Sequence, residues 1–162
     1  MTPRVTLRNL TDDDLDVLFD IQADKTARHM AAFTSPDQGD RDAYGAKWRK
    51  IIADDEITKK TILVDDQVVG SVGSYVIDGD TEVTYWVRRD LWGQGIASAA
   101  LAELLRQVTV RPVYARVAAD NLASAQVLVR NGFTRVGEEV AFAEARKAEI
   151  EEHIYRLDQQ QP

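Results

Sequence analysis

The chain has 162 residues, a length that suits one domain with a single sizeable core, and a balance of 44% hydrophobic and 29% charged residues is that of a folded protein. A net charge of −7 argues against non-specific binding to nucleic acid or to an anionic membrane; it weakly favours a cationic substrate or partner, although acidity also serves solubility alone. The absence of cysteine removes disulfides, thiolate metal sites and a cysteine acyl-enzyme, and with His29 and His153 as the sole imidazoles no metal is expected.

Along the chain, RVTLRNL alternates like an edge strand. TDDDLDVLFDIQ then starts a helix, with Thr11 as N-cap, Asp14 at the capping-box position, and Leu15, Leu18, Phe19 and Gln22 on the inward stripe. FTSPDQGD is rich in turn formers, and after it Tyr44, Trp48, Ile51 and Ile52 share a helical face. Three strand-like runs follow between Thr58 and Val87, separated by DDQ and DGD, which are hairpin signals for an antiparallel meander. Ile96, Ala100, Leu101, Leu104, Leu105 and Val108 make a third helical stripe; VYARVAA reads as a buried strand. DNLASAQVLVRNGF is a fourth helix, capped by Asp120 or Asn121 and stopped at Gly132, and the tail to Asp158 folds back as a hairpin around EARKAE. The expected fold is α+β over residues 1–162 as one domain: a mixed, mostly antiparallel sheet of about seven strands flanked by about four helices. No apolar run approaches a bilayer span and MTPRVTLRNL lacks the apolar core of a signal peptide, so a cytoplasmic location is expected.

One turn stands out. Gly93, Gln94 and Gly95 lead directly into the third helix, followed by Ile96, the small Ala97 and the hydroxyl of Ser98. A helix start presents unpaired N–H groups and a positive dipole end, and glycine lets a bulky anion approach them. The plainer reading is that the glycines merely make a tight turn. Among phosphate sites, a P-loop needs lysine after its last glycine, where this chain has Ile96; a dinucleotide fingerprint needs a parallel βαβ unit, which the meander does not supply. A coenzyme A pyrophosphate site is the third reading.

The stretch YWVRRDLWGQGIASAAL resembles the GNAT superfamily of acetyl-CoA-dependent N-acetyltransferases. The family frame Gln/Arg-x-x-Gly-x-Gly/Ala is here Trp92-x-x-Gly95-x-Ala97, and its departure at Trp92 is similar to the branch typified by ribosomal-protein N-terminal alanine acetyltransferases. NLASAQVLVRNGF resembles that branch's second motif, with Asn121, Ser124, Gly132 and Phe133 in place. The resemblance implies that the pyrophosphate of acetyl-CoA sits on the amides of Gly93, Gln94, Gly95, Ile96, Ala97 and Ser98. It implies that the pantetheine arm pairs with main-chain groups of Trp86 and Val87, in a wedge where the fourth and fifth strands splay. Asn121 would bond the arm, with Ser124 nearby; the plainer alternative for Asn121 is a helix cap, and for Tyr85 and Trp86 a place in the core.

An amine acceptor must be neutral to attack, and the thioester oxygen needs a donor, which the family places at the Val87 N–H. Direct attack in a ternary complex is then the economical route. Glu82, which opens the strand carrying Trp86 and Val87, is the candidate base, against the plainer reading of an exposed strand residue. His29, Tyr44 and Tyr85 are candidates to line the acceptor site. His153 in the last strand reads as structural. Many GNAT enzymes carry an acidic tyrosine seven residues after the motif asparagine, where this chain has Leu128, so Ser124 assists or the thiolate leaves unprotonated. Asp24, Asp78, Asp80, Glu138 and Glu139 could draw a cationic amine. The acceptor is expected to be a primary amine, on a protein N-terminus, an amino acid or a small molecule, with no nucleic-acid or membrane partner and with a homodimer compatible. Two alternatives remain: a GNAT-fold protein that binds acetyl-CoA without turnover and, more distantly, a nicotinamide-nucleotide binder.

Overall fold

The turns predicted from DDQ and DGD set the centre of the sheet. In the computed structural model, which describes residues 3–36 and 39–159, Asp65 and Asp66 both have positive φ (51° and 64°), as do Asp78 and Gly79 (51° and 84°). That backbone twist matches the twist of paired strands and closes two-residue hairpins. They join β2 (Thr58–Val64), β3 (Gln67–Ile77) and β4 (Asp80–Val87) into an antiparallel meander, with β1 (Val5–Asn9) at its edge. β5 (Val113–Ala118) pairs parallel to β4, and the final hairpin of β6 (Thr134–Ala143) and β7 (Ala148–Leu157) inserts β7 beside β5. The result is a seven-stranded sheet in the order β1-β2-β3-β4-β5-β7-β6, mostly antiparallel, as expected.

The helices cover both faces. α1 (Leu15–Gln22), α2 (Lys25–Ala31) and α3 (Arg41–Ala53) precede the meander; α4 (Ile96–Gln107) and α5 (Leu122–Arg130) flank β5 in sequence. The stripe of α4 is buried as its period requires: Leu101 and Leu104 are fully enclosed against Val72, Val83, Val113 and Leu157 of the sheet. Each such leucine contributes roughly 1.5–3 kcal/mol of burial. On the opposite face Leu15, Leu18, Phe19 and Tyr44 form a second cluster, with Trp48 and Trp86 packed against it.

The first helix is fixed by its cap. Thr11 N–H donates to Asp14 Oδ2 at 3.0 Å, completing the capping box, while Arg8 grips the same buried carboxylate through both guanidinium nitrogens and Thr61 adds a hydroxyl at 2.8 Å. Burial alone would raise the Asp14 pKa, but these donors outweigh it and bring it down to about 2.

Five helices flank the sheet where about four were expected. The additional helix, α2, is seven residues long and buries Ala27 alone, so it carries no readable stripe. It exists because Asp24 caps it, accepting from Ala27 N–H at 2.9 Å. Asp37 and Gln38 of the turn-rich FTSPDQGD segment lie outside the described residues.

Candidate active site

β4 and β5 are paired at Thr81–Val113 and Glu82–Tyr114; beyond that point no strand among the described residues pairs with the β5 side of β4. The two strands diverge, and a wedge opens along β4 from Val83 to Val87. Two clefts meet there. One, of about 300 Å³, runs past Val87, Trp92, Gly93 and Gly95 to Ile96, Ala97 and Ser98. The other, of about 750 Å³, lies over the sheet face that carries Tyr75, Glu82, Thr84, Arg116 and Glu152, with Tyr44, Lys47 and Trp48 of α3 on its wall. Ala31, Tyr85, Trp86, Asn121 and Ser124 line both.

At the smaller cleft, Gly95 is the N-cap of α4 with φ 80° and ψ 7°, and Gly93 has φ 82°. Both need the left-handed conformation that glycine adopts at little cost. A Cβ built on either meets nothing within 4 Å, so the glycines make the turn and also leave open space beside it. The first i→i−4 bond of the helix is Ala99 N–H to Gly95 C=O at 3.0 Å. The amides of Ile96, Ala97 and Ser98 have no backbone acceptor among the described residues, and no side chain caps them. This is a positive helix end facing a cleft, the physical form of an anion site. Ser98 Oγ accepts from Asn131 Nδ2 at 3.2 Å, which leaves its own proton free to donate. The Gln94 side chain is exposed and does not line the cleft. Trp92, the position that departs from the family frame, donates its indole N–H to Val87 C=O at 2.8 Å and ties the turn to the end of β4.

At the junction, Tyr85 Oη lies 2.9 Å from Ser124 C=O and 2.7 Å from Ser124 Oγ. Burial pushes the Tyr85 phenol up to about 12 despite the hydrogen bond to Ser124. Asn121 is the N-cap of α5, accepting from Ser124 N–H at 3.3 Å, and its Nδ2 donates to Met30 C=O at 3.2 Å. The capping alternative thus describes its bonds, although the amide keeps a second N–H and a second lone pair and the residue lines both clefts. Leu128 is fully buried in the core cluster, so no proton donor stands at the place where the family tyrosine would be.

At the larger cleft, Glu82 is 6% exposed, not a surface strand residue. Its Oε1 lies 3.6 Å from Arg116 Nε; the same guanidinium lies 3.3 Å from Glu152 and 3.0 Å from Glu139. Burial pushes the Glu82 carboxyl up; Arg116 pulls it down, and the charges of Glu152 and Asp80 push it further up. Glu152 is raised by burial in the same way, with Arg116 opposing. A carboxylate with a raised pKa, buried at the apex of a wedge, has the properties of a general base. Tyr44 Oη and Trp86 Nε1 are buried without a hydrogen-bond partner among the described residues, and burial raises the Tyr44 phenol.

Several candidates are placed elsewhere. His29 is exposed on α2 and lines neither cleft; its carbonyl accepts from Arg146. Asp24 caps α2 and pairs with Arg89, Asp78 sits in a hairpin turn, and Glu138 pairs with Arg135 on the opposite sheet face from Glu139. Among the described residues, Glu138, Glu151 and His153 have ligand atoms within 4.8 Å of one another, but they line neither cleft. The residues that sequence reasoning missed are Arg116 and Glu152. The signal for Arg116 was an arginine inside the otherwise apolar VYARVAA; Glu152 carried none.

Residues 4–134 match the family model described as an acetyltransferase (GNAT) domain. The chain belongs to the GNAT family. It is 27% identical over 168 residues to an uncharacterized N-acetyltransferase p20 of Bacillus licheniformis, covering 96% of this chain and 93% of that protein. Its fold is similar to the RimL ribosomal L7/L12 alpha-N-protein acetyltransferase solved in complex with coenzyme A, with TM-score 0.83, 18% identity and coverage of 98% and 96%. It is equally similar to a spermidine N-acetyltransferase from Vibrio cholerae solved with CoA and spermine, with TM-score 0.82, 18% identity and coverage of 96% and 95%. One GNAT fold thus carries acceptors as different as a protein N-terminus and a polyamine, and the fold alone does not name the acceptor. No helix of the described residues is long and apolar enough to cross a membrane.

Proposed function

We propose that this GNAT chain transfers the acetyl group of acetyl-CoA to a primary amine by direct attack in a ternary complex. The observation that carries the reading is the meeting of two clefts of opposite electrostatic character at the β4–β5 divergence. One has the free amides of α4 and the other a buried Glu82. In this reading the pyrophosphate lies on the turn from Gly93 to Ser98, and the pantetheine arm runs along β4 at Trp86 and Val87, with Asn121 and Ser124 beside it. The Val87 carbonyl already receives Trp92, so the arm relies on the remaining main-chain groups of the β4 edge.

The amine enters as an ammonium and loses a proton to Glu82, directly or through a water. Its nitrogen then forms the C–N bond to the thioester carbonyl carbon as the C–S bond breaks. The nitrogen gives up its second proton as the thiolate leaves, either to solvent, with the thiolate departing as such, or to the thiolate through the Ser124 hydroxyl, which Tyr85 holds in place and which is reprotonated by the same nitrogen. Tyr85 and Tyr44 line the acceptor side. The acceptor is a small molecule or a protein N-terminus, and the location is cytoplasmic; a homodimer is compatible with the arrangement. A second reading, acetyl-CoA binding without turnover, is favoured by the buried Leu128 where a proton donor is common.

The deciding experiment is thiol release from acetyl-CoA across a panel of amines, beside calorimetry of acetyl-CoA binding. Amine-dependent release supports the transferase. Binding without release over a broad panel supports the second reading, and no binding refutes both.

A further inference from the structure

The register of the sheet places Glu82, Arg116, Glu152 and Glu139 on one face. Glu82 pairs with Tyr114, two residues before Arg116; Ala118 is opposite Glu152, and Glu152 is opposite Glu139. One guanidinium therefore serves three carboxylates. Glu82 and Glu152 are 6% and 8% exposed and both line the larger cleft. No other basic side chain among the described residues lies in ion-pairing range of either. Buried carboxylates need compensation, and Glu82 and Glu152 share a single cation that the exposed Glu139 also draws on, which leaves the buried pair one charge short.

The two lysines that line the cleft, Lys47 and Lys59, make no ion pair with Glu82 or Glu152. Lys59 is on β2, two strands away from β4 and opposite Gly73, about 10 Å by strand spacing. Its ammonium already donates to the carbonyls of Asp54 and Ile57. Lys47 is exposed on α3.

We infer that the acceptor is an ammonium group with no carboxylate on the adjacent carbon: an alkyl or aralkyl amine, a polyamine, or the amino end of an amide or peptide, and not a free amino acid. This rests on the transferase reading above. The incoming ammonium supplies the positive charge that the face lacks. An α-carboxylate brought in with it would sit beside Glu82 and Glu152, and Arg116 is already surrounded by three carboxylates.

The test is thiol release with matched acceptors that differ at the carboxylate: tyrosine against tyramine and tyrosinamide, norleucine against pentylamine, and a short peptide against its free first residue. The carboxylate-free member is expected to show kcat/KM at least about thirtyfold higher, equivalent to about 2 kcal/mol. Which of the carboxylate-free members is fastest separates small amines from peptide ends. Glu152→Gln keeps the volume and removes one charge; it should raise the amine KM and narrow the ratio within each pair. Free amino acids used as well as their carboxylate-free partners would overturn the inference and leave the transferase standing. So would an unchanged ratio in the glutamine variant. No release from any acceptor would overturn the transferase reading and this inference with it.

Discussion

Replacing Gly95 with alanine separates the two roles that the turn has been given. At φ 80° a side chain occupies the left-handed region, which costs an L-residue about 1–2 kcal/mol. For a chain of 162 residues, that corresponds to a fall in Tm of about 2–8 °C. The added Cβ meets no protein atom within 4 Å, so no clash adds to this. If the glycine serves the turn alone, the loss ends there. If it clears space for an anion on the amides of Ile96, Ala97 and Ser98, the methyl group also stands in the ligand's path. The Kd for acetyl-CoA should then rise by about tenfold or more, a further 1.4 kcal/mol or so. The structure contains its own control. Gly79 has φ 84° and equally open surroundings, but it lies in the β3–β4 hairpin and lines neither cleft. Gly79→Ala should lose comparable stability and leave the Kd unchanged. Thermal melts and calorimetry on both variants decide the matter: equal acetyl-CoA affinity in the two would refute the pyrophosphate assignment.

Glu82→Gln should lower kcat by about 100-fold or more, the usual contribution of a general base, and should remove the acidic limb of the pH–rate profile. The same variant tests linkage. A carboxyl raised by folding stabilises the protein below its unfolded pKa of 4.5, and that stability is lost as pH rises through the higher folded value, so the glutamine variant should melt no lower than wild type at pH 7. A clear drop in its Tm would mean that the pair with Arg116 outweighs burial. Tyr44→Phe removes a buried hydroxyl without a partner and should be neutral or stabilising by up to about 1 kcal/mol in urea unfolding; a raised amine KM would instead place the hydroxyl on the acceptor. Asp14 has the opposite sign to Glu82: its folded pKa is about 2 against 3.8, so about 2 kcal/mol of stability is present above pH 3.8 and is lost as pH falls towards 2. Asp14→Asn should be destabilised at neutral pH, with the gap from wild type narrowing over that window in urea titrations; a constant gap would contradict the proposed pairing with Arg8.

What could be read in the sequence was whatever a few neighbouring residues decide. The capping box of Thr11 and Asp14, the Asp-Asp and Asp-Gly hairpins, the stripe of α4 and the stop at Gly132 are local devices, and each sits where its residues demand. Helix α2 escaped because a cap and one buried alanine make no periodic pattern. The electrostatics of the site escaped for a different reason. Arg116 meets partners that stand 34 residues before it and 23 and 36 residues after it, on three other strands, and nothing short of the strand order brings them together. His29 was assigned to the acceptor wall by the resemblance; the extra helix leaves it exposed. The Gln94 side chain is likewise exposed and lines neither cleft.

The same register that positions the candidate base also creates the edge proposed for the pantetheine arm. β4 is in ladder with β5 through Glu82 and no further, so Glu82 lies at the apex of the wedge, held on one side by Tyr75 of β3 and on the other by Tyr114 of β5. The five residues from Val83 to Val87 then run about 17 Å towards the glycine turn, with their β5-facing edge unpaired by any strand among the described residues. A slip of one residue would turn every β4 side chain to the opposite face, placing Val83 or Thr81 over the larger cleft and driving Glu82 towards Leu101 and Leu104. The apolar alternation of Val83, Tyr85 and Val87 resists that slip. Packing under α4 therefore fixes a carboxylate at one end of the strand and the anchor of an anion-binding turn at the other. On the proposed reading, the amine and the phosphates would be sorted by sign along a single strand, although the protein as a whole carries a net charge of −7.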